Sequence, residues 1–279
     1  MPPSLVAPAA ILCLAANSPL TRAGVAGGTD PMAFAAIRVA AGALVLAILV
    51  RGRVPLRGAR RWGTALALVG YLLGFSLAYR GLDAGLGALI LFATVQLGLM
   101  AAGLARGEAM TARRGAGIAV AFGGLVWLLW PGGGTQAPPV DVALMIGAGL
   151  AWAAYSFAGK YEDTPIPGTA GNFLAAAAIF AVLAPVWWGA AVTPSGAALA
   201  AVSGGVTSGL GYAILYRLLP RLSLTASGVV QLTVPVVATV MGVALLGEVL
   251  TSRMAAAGVL TLAGVALAVL QPTKRSSAS

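Results

Sequence analysis

GEAMTARRGAGIAVAFGGLVWLL, residues 107–129, returns at an offset of 140 residues as GEVLTSRMAAAGVLTLAGVALAVL, residues 247–270. Gly107, Glu108, Thr111 and Arg113 fall on Gly247, Glu248, Thr251 and Arg253. Each copy leaves one long apolar run and enters a Gly/Ala-rich last one. The offset is half of the 279-residue chain, so the sequence reads as two related units, 1–138 and 139–279. Upstream the match continues. LAYRGL at 77–82 faces ILYRLL at 214–219, and LAANSPLTR at 14–22 faces WAAYSFAGK at 152–160.

What surrounds the repeat is almost entirely apolar. Hydrophobic residues make up 59% of the chain and charged residues only 9%, too few to cover a soluble globule of this size. A bilayer core roughly 30 Å thick takes about 20 apolar residues of helix. Runs of that kind lie at 4–22, 31–50, 62–80, 84–105, 115–131, 141–160, 168–191, 196–217, 222–247 and 254–271. The expectation is an all-α integral membrane protein of ten transmembrane helices, five in each unit. The first run has no Lys or Arg ahead of it, so it reads as a mature helix and not as a cleaved signal.

Five is an odd number, so the second unit is expected to enter the membrane inverted relative to the first. The bases agree with that. With a cytoplasmic amino terminus, Arg51, Arg53, Arg57, Arg60, Arg61, Arg106, Arg113, Arg114, Lys160, Arg217, Arg221, Lys274 and Arg275 fall inside, against Arg22, Arg80 and Arg253 outside. Both termini then face the cytoplasm of a plasma (inner) membrane. The net charge of +10 is accounted for by this asymmetry and calls for no nucleic acid. Two inverted repeats place a shared central cavity near the midplane and allow alternating access by rocking, so transport is the expected activity.

These residues resemble the drug/metabolite transporter superfamily, specifically its EamA-type ten-helix permeases. The carriers of the resemblance are Pro31, Phe34 and Arg38 at the start of the second helix and the twin GExxTxR elements. The run QLTVPVVATVMGVALLGE at 231–248 belongs with them. The resemblance spans nearly the whole chain. It implies export or exchange of small metabolites, amino acids among them, with drug or cation efflux as the alternative. The chain departs from a symmetric pattern where Val95 and Gln96 face Pro235 and Val236, and where Leu14 faces Trp152.

Helices 5 and 10 carry almost nothing polar and are expected outside the bundle, where they offer a possible homodimer contact; the other eight would surround the cavity. The candidate cavity residues are Asn17, Arg38, Tyr71, Tyr79, Gln96, Trp152, Tyr155, Asn172, Ser208, Tyr212 and Gln231. Tyr71, Phe75 and Tyr79 form an i, i+4, i+8 stripe, as do Ser208, Tyr212 and Tyr216. Such a stripe serves as packing as readily as a binding wall. The buried amides serve as well for interhelical bonds as for solute contacts.

Arg38 lies about 10 Å below the surface at helical rise, with no acid at its depth. It reads either as a counter-charge for a substrate carboxylate or as a structural base bonded to neighbouring carbonyls or snorkelling outward. Glu108, Arg113, Glu248 and Arg253 read as joints between helices 4 and 5 and between helices 9 and 10. Each Glu would sit at the start of the following helix, within reach of its own Arg.

Chemistry of other kinds is poorly served. The chain has no His and one Cys, with no HExxH or DxxD element, so no catalytic residue, metal or cofactor is expected. The lack of deep acids also disfavours proton coupling and leaves facilitated diffusion or exchange. A non-transporting or lipid-flipping subunit is the remaining alternative. The expected partners are a small-molecule substrate and the lipid bilayer.

Overall fold

A computed structural model describes residues 3–56, 58–130, 137–160, 162–218 and 224–269, with side chains described outside 3–7, 59, 215–218 and 224–231. The described secondary structure is all helical. It comprises α1 (Pro3–Ala26), α2 (Pro31–Leu49), α3 (Ala59–Ala78), α4 (Ala84–Ala105), α5 (Ala112–Leu129), α6 (Pro139–Gly159) and α7 (Pro165–Leu183). There follow α8, a continuous rod of Pro194–Val202, Ser203–Leu210 and Gly211–Leu218, then α9 (Leu224–Leu246) and α10 (Ser252–Val269). Among the described residues nine stretches are long and apolar enough to cross a membrane, and Leu232–Leu246 of α9 is a shorter apolar helix.

The helix ends follow from local chemistry. Asp30 caps α2: its Oδ1 accepts from the amides of Met32 (2.8 Å) and Ala33 (3.1 Å), with Pro31 fitting the first turn. Asp30→Ala should cost about 1 kcal/mol, read as a lower unfolding temperature in detergent. The repeated GExxTxR element is a helix-stop-and-start device. Gly107 (φ 86°) and Gly247 (φ 67°) take the left-handed conformation that ends a helix. Thr111 and Thr251 then cap the next one, their hydroxyls accepting from the Arg114 amide (3.2 Å) and the Met254 amide (3.1 Å).

Three runs differ from their sequence reading. α1 continues past residue 22 to Ala26, with Pro19 inside it. α7 stops at Leu183, and Pro185, which has no N–H to give to the α-helical ladder, falls in a 3-10 turn, Ala184–Trp187. The middle of α8, Ser203–Leu210, is π-wound.

Glycines set how closely the helices pack. A Cβ on Gly264 would meet the Ala121 amide and, at 2.7 Å, the Gly117 carbonyl; one on Gly117 would meet the Ala268 amide at 2.6 Å. α5 and α10 therefore press together along a seam of small residues. Their opposite faces leave Phe122, Trp127, Val259 and Leu260 exposed. α2 and α8 come together at Gly204, where a Cβ would collide with the Arg38 carbonyl.

Polar contacts mark the two ends of the bundle. At one end Arg22 donates to the carbonyls of Tyr79 and Arg80 (both 3.0 Å) and pairs with Asp83 (3.7 Å), while Arg80 pairs with Asp30 (3.8 Å). At the other end Arg61 pairs with Glu162 (3.0 Å), and Arg60 donates to the Ala158 carbonyl (2.9 Å). Glu248 belongs to the first end and Glu108 to the second, at the start and the finish of α4 respectively.

Candidate functional site: a cavity sealed at one end

A cavity of about 600 Å3 runs from the Glu108 end into the middle of the bundle. α1 contributes Leu14, Asn17 and Ser18; α3 contributes Tyr71 and Phe75; α4 contributes Leu91, Phe92, Leu99 and Gly103. From α6 come Trp152, Tyr155 and Ser156, with Tyr212 from α8 and Val234 from α9. The mouth is ringed by Glu108, Lys160, Glu162 and Pro165. Among the described residues α2, α5 and α10 supply none of the lining, and α7 only Pro165, so fewer than eight helices form the wall.

The deep part is aromatic. The Trp152 ring lies 4.6 Å from Tyr71, 5.1 Å from Tyr155 and 5.6 Å from Tyr212, measured between centroids. The i, i+4, i+8 stripe of α3 splits in function. Tyr71 and Phe75 face the chamber. Tyr79, predicted to line it, is fully buried beyond it, edge-on to Phe75, and its hydroxyl donates to the Ala84 carbonyl (3.3 Å). Tyr79 is thus part of the seal at the Glu248 end, because the last turn of α3 lies beside the first turn of α4.

Glu248 completes that seal. Its carboxylate accepts from the Ala84 amide (2.6 Å) and the Gly85 amide (3.2 Å), the first N–H groups of α4. This differs from the expectation that it sits at the start of the helix following it, α10. Thr251 caps α10, and Glu248 satisfies the positive end of a helix from the other half of the chain. Arg253 likewise does not pair with Glu248. Its guanidinium donates to the carbonyls of Trp127 and Trp130 (2.6 Å to Trp130) at the finish of α5, where a cation is favoured. At the open end Glu108 pairs with Arg114 (2.8 Å), one residue beyond the expected Arg113.

The predicted amides take up positions of different kinds. Asn17 is buried against the π-wound stretch of α8: its Oδ1 accepts from Ser203 (2.8 Å), Thr207 (2.7 Å) and Ser208 (3.4 Å). Its Nδ2 faces the carbonyls of Cys13 and Leu14 (both 3.4 Å). Ser208 is therefore behind the wall and not in it. Asn172 is also behind: its Oδ1 accepts from Arg61 (2.9 Å) and its Nδ2 donates to the Tyr155 hydroxyl (3.5 Å), so it links the mouth to the aromatic chamber. Gln96 is buried but does not line the cavity. The side chain of Gln231 lies outside the described residues.

Arg38 is wholly buried, at 0% exposure. It does not snorkel outward, and among the described residues its hydrogen bonds go to side chains of α3 and α8 and not to carbonyls. Nη2 donates to the Tyr71 hydroxyl (3.1 Å) and to Ser208 Oγ (3.4 Å), and the guanidinium stacks on Tyr71 and Phe75 (5.5 and 5.1 Å to the centroids). Nε and Nη1 are buried without an acceptor among the described residues. A charge at such depth costs at least about 2.5 kcal/mol on insertion scales, and two π faces and two neutral hydroxyls are the contacts that offset it.

Several lining residues carry no mark in the sequence. Leu91, Phe92, Leu99 and Val234 have no polar signal to set them apart from core. Glu162 at the mouth and its partner Arg61 in the first turn of α3 fall in stretches that sequence reading treats only as charge. Their separation of 101 positions hides the pair, although opposite charges on the same predicted side are a usable clue.

The model of the EamA-like transporter family matches residues 141–270. An uncharacterized protein of Pseudomonas aeruginosa is 43% identical over 270 residues, covering 94% of this chain and 92% of the relative. A protein of known crystal structure superposes with a TM-score of 0.69 at 20% identity, over 95% of this chain and 96% of that one, a likeness of fold.

Proposed function

The chain belongs to the EamA-like transporter family, and on that premise we propose that it is a secondary transporter of small metabolites, amino acids foremost. It is an integral membrane protein by family and by its apolar helices. The observation that carries the reading is the cavity: it reaches the centre of the bundle from one end and is shut at the other by Tyr79, the Arg22 network and Glu248. A solute chamber open to one side is half of an alternating-access cycle.

Two features support an inverted pairing of the halves as the way that cycle is completed. The two GExxTxR loops lie at opposite ends of α4, and the contacts of Glu248 and Arg253 cross from the second half to the first. In this reading the described bases Arg51, Arg53, Arg60, Arg61, Arg106, Arg113, Arg114 and Lys160 mark the Glu108 end as cytoplasmic. The cavity is then open inward, and both termini lie on that side of the inner membrane. The mode proposed is exchange, since the carboxylates that line the cavity, Glu108 and Glu162, are at its mouth and each pairs with an arginine.

The test is counterflow in proteoliposomes. Liposomes loaded with an unlabelled solute should accumulate the labelled form when the protein is present, with uptake unchanged by an imposed pH gradient at fixed membrane potential. The panel is the twenty amino acids together with aromatic and quaternary organic cations. The cations are included because the π faces of Tyr71, Trp152, Tyr155 and Tyr212 favour a second reading as a cation efflux permease. Lipid scrambling without solute flux would replace both readings with a lipid-flipping role.

A further inference from the structure

We propose that Arg38 is the anion-recognising group of the cavity and that the transported solute carries a carboxylate; the assignment rests on the transport reading above. Among the described residues no carboxylate pairs with the guanidinium: Asp30, Asp83 and Glu248 are held at the sealed end, and Glu108 and Glu162 at the mouth. The neutral amide acceptor nearby is already engaged. The Asn17 carbonyl oxygen lies within reach of three hydroxyls, those of Ser203, Thr207 and Ser208, and the single proton of Thr207 is shared between that oxygen and the Ser203 carbonyl (2.7 Å). Nε and Nη1 stay without an acceptor among the described residues, although α2 and α8 are packed to backbone contact at this level.

What separates this cation from the chamber is one layer of side chain. Tyr71 and Phe75, the two rings on which it stacks, are themselves chamber wall, and so is Asn17. The stack fixes the guanidinium in place without using its N–H groups. The wall atom that bonds to it is the Tyr71 hydroxyl. A carboxylate oxygen is the stronger acceptor, its bonds to a guanidinium being roughly twice as strong as neutral ones, so a solute carboxylate displaces the phenol and takes two N–H groups at once. The remainder of the solute then lies among Trp152, Tyr155 and Tyr212, whose rings accept an apolar or aromatic side chain. No covalent step is involved.

The experiment measures counterflow of each amino acid against its decarboxylated amine and its amide, with the wild type, Arg38→Gln and Arg38→Lys. Size-exclusion profiles in detergent establish that each variant folds. The wild type should favour the acid over the amine by at least about tenfold in KM. Arg38→Gln should raise KM for the acid by about tenfold or more while leaving the amine unchanged, and Arg38→Lys should recover part of the loss. The assignment is overturned if folded Arg38→Gln keeps the acid KM. It is overturned equally, with no variant needed, if the wild type carries amine and acid alike. Absence of flux for every solute on the panel would overturn the transport reading itself, and this assignment with it.

Discussion

Glu248→Ala should open the sealed end of the bundle. In a Cys13→Ser background, Ser76→Cys places a thiol at a fully buried position of α3. That thiol should go from inert to labelled by a membrane-impermeant reagent applied from the Glu248 side. Glu248 is the acceptor for two of the N–H groups at the start of α4, and alanine leaves both without it. Losing a cap of this kind costs about 1–2 kcal/mol, and the bonds here are to a charged group, at the upper end of that range. The same side chain is the tie between the α9–α10 connection and α4, so its loss acts on the interface between the halves and not on one helix alone. Glu248→Gln keeps one acceptor oxygen and should give an intermediate labelling rate. Transport turnover should fall by up to about tenfold in the alanine variant, since a shift of roughly 1.4 kcal/mol changes a two-state equilibrium constant by that factor. Unchanged labelling together with unchanged turnover would show that the cap does not hold the seal.

Gly204→Val should prevent a monodisperse fold altogether. A Cβ at this position meets the carbonyl oxygen and carbonyl carbon of Arg38, the latter at 2.7 Å, and these are backbone atoms of α2 that no rotamer change can move aside. Overpacking of a core costs about 1–3 kcal/mol where side chains can adjust, and here the two helices must part. They would part at the level of the Arg38 stack and of the Ser203–Asn17 bond, so the polar cluster is broken as well. Gly123→Ala is the control: a Cβ there would have open space around it to 4 Å, and alanine favours a helix by roughly 1 kcal/mol over glycine. Size-exclusion chromatography and thermal unfolding in detergent distinguish the two, and a well-folded Gly204→Val would show that α2 and α8 are not locked there.

Much of the molecule is legible in the sequence. The apolar runs locate the helices, and Gly and Thr of the repeated element locate the turn between each pair. Both are local effects: a left-handed residue ends a helix and a hydroxyl caps the next wherever they occur. Tyr71, Trp152, Tyr155 and Tyr212 stand out from sequence as candidate wall and do line the chamber. The depth and cost of Arg38 are readable too, from its place in a helix and the absence of acids near it.

The partners are not readable. Tyr79 follows Tyr71 and Phe75 by the same helical step, yet it seals the cavity where they line it, because the start of α4 crosses the last turn of α3. Ser208 and Asn17 look like solute ligands in isolation, but the π-wound stretch of α8 turns three hydroxyls onto one amide oxygen.

By itself, then, the sequence determined where the apolar helices run and which base is lodged at depth, since each depends on neighbours a few residues away or on the cost of leaving water. The tertiary structure alone decided that Glu248 closes α4, that Arg253 closes α5 and that Arg38 stands behind the aromatic wall with two nitrogens unengaged among the described residues. Those contacts join residues more than a hundred positions apart, or depend on which face of a helix meets which neighbour, and helical periodicity carries no information about either.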